Sequence, residues 1–252
     1  MKRSIISLSI VVFTVIATGT ANAVFVPSGL GGSPYHLAFV TQGTRDALSN
    51  SITDYNDFVN AQAALNPSAT GTDIGVEYRV IGSTHSPEIN ARDNIGLVED
   101  VPIYLMVGTK VADSVGPLTT NGANWLFGCC EAGAGISLTN PLNKDQFGTD
   151  VGNIKVWTGS GGDGLANGAM TGTIPGAELG TTLITFGKSG ESGSAWMYNS
   201  TAFVTDNGTV GIPFEKPFYA VSQLLPEPSS VILLGFGGAW LVSLGRRRTR
   251  KS

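Results

Sequence analysis

TRDALSNSITDYNDFVNAQAALNP, residues 44 to 67, is the stretch on which the reading of this chain turns. Leu48, Ile52, Tyr55, Phe58, Val59 and Ala63 return at steps of three and four, the spacing that lines one face of an α-helix. Arg45, Asp46, Asp54, Asp57 and Gln62 fall on the other side, as a solvated face requires. Asn66-Pro67 stops the run, since proline has no N–H to donate and crowds the preceding turn. The spacing predicts one amphipathic helix over about 44–65.

On the N-terminal side, LAFVT at 37–41 reads as a strand, and the small-residue run 24–36 before it as a flexible lead. On the C-terminal side the pattern changes after Gly75 to short β-like runs: VEYRVI at 76–81, VPIYLMV at 101–107, IKVW at 154–157, TLITF at 182–186, SAWMY at 194–198 and PFYAVSQ at 217–223. Gly, Asn, Asp, Ser and Thr clusters separate them, the usual chemistry of turns. Residues 115–153 have little periodicity and read as surface loops, with Trp125 and Phe127 folding back onto the core. Strand, helix, then several strands is an α+β order, with mostly antiparallel strands and the two ends of the domain pairing.

The extreme ends have a different character. MKRSIISLSIVVFTVIATGTANA has two cations, an apolar stretch and small residues at Ala21 and Ala23, the layout of a secretory signal peptide over 1–23 with cleavage after Ala23. At the other end, residues 225–252 contain Pro226-Glu227-Pro228, an apolar run over 231–244, and Arg246, Arg247 and Arg248 within a basic tail over 246–251. Fourteen residues span only ~21 Å as a helix, short of a ~30 Å hydrocarbon core, so this transmembrane segment needs help from its flanks. The arginines hold the tail in the cytoplasm and leave the body outside the inner membrane.

Those three features in that order resemble the PEP-CTERM sorting signal of exported bacterial proteins. The resemblance implies Sec export, processing by the membrane-embedded exosortase, transient membrane attachment through the C-terminal segment, and a final place at the cell surface or in extracellular matrix. It says where such a protein goes and assigns it no activity.

Between the ends, 37–224 reads as one extracytoplasmic domain. Of the chain's 15 basic residues seven lie in the two ends, leaving 8; of its 19 acidic residues Glu227 lies there, leaving 18, so the core is near −10. That balance excludes a basic nucleic-acid footprint. The two cysteines, Cys129 and Cys130, are adjacent and staple no distant parts of the fold.

AFVT with its following helix, RDNIG at 92–96, IYLMVGTKVAD at 103–113, VWTGSGGDG at 156–164, GSAW at 193–196 and the closing FYAVSQ weakly resemble C-type-lectin-like and endostatin-like surface domains. The core lacks the cysteines usual to that fold and the acidic loop that calcium-dependent sugar binding needs, so the resemblance implies a fold without its lectin site. It favours a structural or binding role, with extracellular polysaccharide as a partner and no catalytic residue.

Two alternatives stand beside that reading. A calcium-dependent carbohydrate-binding module would draw oxygen ligands from Asp163 with Asn167 or Asp206 with Asn207, though the same residues are favoured in turns. A secreted hydrolase of envelope polymer would need a cleft built from Glu77, Glu88, Glu99, Asp100, His36 or His85, whose spacing singles out no pair, and the two histidines read as surface-loop residues. GSGGDG at 159–164 has the spelling of a dinucleotide loop without the helix that must follow it. Trp125 and Trp196, in loop-rich surroundings, are the candidate ligand contacts, one of them expected to be partly exposed.

Overall fold

The computed structural model describes residues 23–71, 75–85, 87–96, 100–116, 124–128, 137–166, 179, 183–203 and 214–226. In chain order the elements are β1 (His36–Val40), α1 (Ile52–Ala63), α2 (Pro67–Thr70), β2 (Tyr78–Val80), β3 (Thr84–His85), β4 (Glu88–Ile89), α3 (Ala91–Ile95), β5 (Ile103–Leu105), β6 (Lys110–Ala112), β7 (Lys155–Trp157), β8 (Leu183–Lys188), a 3₁₀ turn at Ser194–Trp196, β9 (Ser200–Phe203) and β10 (Tyr219–Ser222). The class is α+β with mostly antiparallel pairing.

The main sheet has the order β2-β10-β1-β5-β6. Its centre joins the two ends of the domain: β10 runs antiparallel to β1, with Ala38 opposite Val221 and Val40 opposite Tyr219. Among the described strands β1 and β5 are the parallel pair, with His36 beside Ile103. Both faces of the centre are covered, which is why LAFV and FYAV lack a polar alternation. Leu37, Phe39 and Ala220 pack with Tyr55, Val59 and Ala63 of α1. Ala38, Val40, Tyr219 and Val221 pack on the other face with Ile103, Phe127 and Trp196. The strands β7-β8-β9 form a second, antiparallel sheet, and β3-β4 a small hairpin.

The predicted helix over 44–65 is shorter than its spacing suggested. Its backbone begins at Ile52, because residues 44–47 are extended and Arg45 exchanges two backbone hydrogen bonds with Lys216, at 3.1 and 3.3 Å. Asp46 and Ser49 side chains accept from the N–H groups of Leu48 and Ser51, offering the backbone a local alternative to helix. Leu48 is left exposed. At the far end Asn66 does more than stop the helix: its side chain accepts from Ser68 N at 3.0 Å and starts α2, with Pro67 in the first turn.

The lead over 24–36 is packed, not flexible. Val24, Leu30 and Tyr35 are buried, Phe25 N donates to Ser68 O at 2.8 Å, and the Tyr35 hydroxyl donates to Phe25 O at 2.9 Å. SAWMY, expected as a strand, turns at Ser194–Trp196 with Trp196 N bonded to Gly193 O at 3.0 Å. Gly187 of β8 lies against that turn so closely that a Cβ would overlap the Trp196 carbonyl. The strands β3, β4, β6 and β9 and the helix α3 had no counterpart among the expected runs.

Candidate functional site

The outer edge of β2 faces α1 and α3, and asparagine side chains occupy it. Asn60 accepts from Tyr78 N at 2.7 Å and donates to Tyr78 O at 2.7 Å, so one amide stands in for a neighbouring strand. Asn56, one turn earlier on α1, accepts from Val80 N at 2.9 Å, and Asn94 of α3 donates to Val80 O at 2.8 Å. Asn56 and Asn94 also bond each other. The sheet edge therefore has no free ladder group at Tyr78 or Val80, and a further strand has nothing there to pair with.

An open cleft of about 500 Å³ runs along this seam, lined by Thr53, Asn56, Asp57, Asn60, Glu77, Tyr78 and Arg79. Its asparagines are committed to the backbone of β2, and Asp57, Glu77 and Arg79 are exposed charges without convergence on one point. The cleft reads as the outer surface of a structural seam.

The expected site residues are scattered. Trp196 is fully buried, stacked on Phe127 at 6.4 Å between centroids and edge-on to Tyr219 at 5.3 Å, so it presents no face to a ligand. Trp125 is half-buried beside Gly116. His36 lies inside β1, not on a surface loop. Its Nδ1–H donates to Ser222 O at 3.0 Å, and its Nε2 is buried with no partner. Burial pushes its pKa below the ordinary 6.5, against the raising effect of the Ser222 and Gln223 backbone contacts. His85 and Glu88 face each other across the small hairpin and are exposed.

The GSGGDG segment is a packed turn. Asp163 is buried and its carboxylate accepts from Leu165 N at 3.0 Å, while Gly159, at φ +61°, has Ser83 O and Leu179 N where a Cβ would sit. The turn reading of Asp163 fits this better than a cation site. Among the described residues no three His, Cys, Asp or Glu side chains gather to hold a metal. Asn167, Asp206, Asn207, Glu99, Cys129 and Cys130 lie outside the described residues, as do Ala21, Glu227, Pro228, the 231–244 run, Arg246, Arg247 and Arg248. Ala23 and Pro226 are described and exposed, directly outside Val24 and Leu225, which are buried.

A second surface was not anticipated. Lys155 of β7 stands directly opposite Lys188 of β8, and the next pair on that face is Trp157 with Phe186. Lys155 Nζ lies 4.7 Å from the Phe186 ring centre; Lys216 Nζ lies 4.2 Å from that of Trp157 and 4.9 Å from that of Phe214. Arg45, bridged to Lys216 through the backbone, places its guanidinium 4.8 Å from the Tyr55 ring and 5.8 Å from the Phe58 ring. Burial and the neighbouring Lys155 both hold the Lys216 pKa below its usual value, burial first. In the sequence these cations are 171 positions apart at the extreme, from Arg45 to Lys216, which hid the cluster. The alternations Lys-Val-Trp and Phe-Gly-Lys were the available signal.

No protein-family model, no curated protein and no solved structure matches this chain.

Proposed function

We propose that this is an exported protein of the cell surface or extracellular matrix with a structural or binding role, delivered through a C-terminal PEP-CTERM signal that exosortase reads. The observation that carries the reading is the exposure of Ala23 and Pro226 next to the buried Val24 and Leu225. Val24 is the first buried residue among those described, one position after the expected leader cleavage at Ala23. Leu225 is the last, fastened to Tyr35 by backbone bonds of 2.9 and 3.3 Å, and the exposed Pro226 that follows opens the sorting tripeptide. Exposed residues at Ala23 and Pro226 support that reading, since a processing enzyme needs an accessible substrate.

A C-type-lectin-like core is the finer fold reading. It is supported by a first and a last strand that pair at the sheet centre with the long helix following the first strand. Mass spectrometry of the protein taken from the surface of its own cell tests the assignment. The expected species begins at Val24 and has lost the basic tail; surface material that keeps residues 229–252 would overturn exosortase processing.

A further inference from the structure

The core has eight cations, and the structure divides them by use. Lys110 and Lys144 are paired with Asp113 and Asp150. Arg92 donates to the Asp163, Gly116 and Gly128 carbonyls and ties loops together. Arg79 borders the seam cleft. The other four, Arg45, Lys155, Lys188 and Lys216, converge on one surface, and among the described residues none of them has a carboxylate partner.

In a domain with 18 acidic residues, four cations gathered without an ion-pair partner among the described residues are an unusual arrangement. Like charges directly opposite each other on paired strands are unfavourable, and Lys155 with Lys188 is such a pair. Acids beside these cations meet neutral groups: the Asp54 carboxylate accepts from the Ser49 hydroxyl while its main-chain carbonyl takes the Arg45 guanidinium at 2.8 Å, Glu215 accepts from the Thr44 hydroxyl at 3.1 Å and Glu191 from the Asn153 amide at 3.2 Å. Aromatic faces hold the ammonium groups in place, as ring quadrupoles attract cations, but they leave the net charge uncancelled. Phe214, 40% exposed, and the half-buried Phe58 add apolar faces beside the charges.

We propose that Arg45, Lys155, Lys188 and Lys216 form a binding surface for an anionic polysaccharide, whose carboxylate or sulfate groups supply the counter-charges these cations do not find among the described residues. The anion follows from four gathered cations with no ion-pair partner among the described residues. The sugar polymer rests on the reading of the protein as exported to a surface matrix, and the rings of Phe214 and Phe58 suit the C–H faces of sugars. A polymer is favoured over a single small anion because the cations are spread over α1's approach, two strands and the segment before β10, so repeated charges along a chain meet them in turn. The negative body repels such a polymer everywhere else, which confines it to this face.

The test uses the full chain in detergent with three probes: dextran sulfate, polygalacturonate and neutral dextran. One or both polyanions are expected to bind, more weakly as salt rises, with no binding of neutral dextran. Lys155→Gln with Lys216→Gln is expected to weaken that binding by roughly tenfold, while Lys110→Gln with Lys144→Gln, of equal charge change, leaves it unaltered. Equal losses in the two double variants, or no binding of either polyanion, would overturn the proposal. Tighter binding of single-stranded DNA than of either polyanion at equal salt would replace the sugar polymer by nucleic acid. The mass of the mature protein from its cell is read separately: an intact tail there sinks the sorting assignment and leaves the anion surface standing.

Discussion

The β2 edge and the lysine surface handle polar groups in opposite ways. At β2 the asparagines of α1 and α3 meet the outward N–H and C=O groups of Tyr78 and Val80. At the lysine surface Arg45, Lys155 and Lys216 are packed on rings, Lys188 stands opposite Lys155, and none of the four has a counter-charge among the described residues. The first arrangement closes a place where another chain would attach. The second leaves one open. Polar atoms devoted to stability are recognisable by saturation, and those held for a partner by its lack.

The largest way to break this contrast is to remove the foundation under the lysines. Trp157 is fully buried between Phe186 and Lys216, and Trp157→Ala is expected to lower unfolding free energy by about 3–5 kcal/mol in chemical denaturation. Next comes the saturated side: Asn60→Ala strands Tyr78 N and O at once and is expected to lose about 1–3 kcal/mol. Size-exclusion chromatography should also show self-association of that variant, since an unpaired edge accepts strands.

Acid should act between these two regions, at the sheet centre. The folded His36 pKa lies below its unfolded value near 6.5, so the unfolded state takes up protons first. Stability is therefore full above about pH 6.5 and falls as pH drops from there toward the lowered folded value. Melting temperature measured from pH 7.5 to 5 should decline, and His36→Gln should flatten that part of the curve; an unchanged slope in the variant would assign the acid sensitivity to other groups. The smallest effect sharpens the contrast most. Lys188→Glu places an opposite charge across from Lys155 and should stabilise by roughly 0.2–1 kcal/mol, while polyanion binding weakens. A gain in stability with a loss of binding is the signature of residues kept for a partner.

The sequence showed clearly what depends on neighbours in the chain. The Tyr55, Val59 and Ala63 spacing located α1, and the apolar runs at 37–41 and 217–223 located β1 and β10, whose cover on both faces only the packing reveals. It failed where distant residues decide the backbone. Residues 44–47 have helical spacing, but pairing with 215–217 draws them out as an extended segment. Trp196 lies in a run that looks like a strand, and close contact with Gly187 goes with a turn. The charge surface was invisible for the same reason: none of its four cations is conspicuous locally, and the topology alone brings Arg45 beside Lys216 and Lys155 opposite Lys188. Trp125 and Trp196 were attractive as aromatic residues near loops, yet Trp196 is the centre of a ring cluster.

The position of β10 bears on timing. The last strand of the body lies between β2 and β1, so until residues 219–222 arrive, β2 has no strand beside it and β1 lacks its antiparallel partner. A chain that emerges from its N-terminus cannot complete this sheet early, because the contacts that close it join positions more than 180 residues apart, as His36 and Ser222 are. Nearly the whole body must be delivered before the fold can lock. That delay leaves the centre of the sheet open until synthesis of the body is nearly complete.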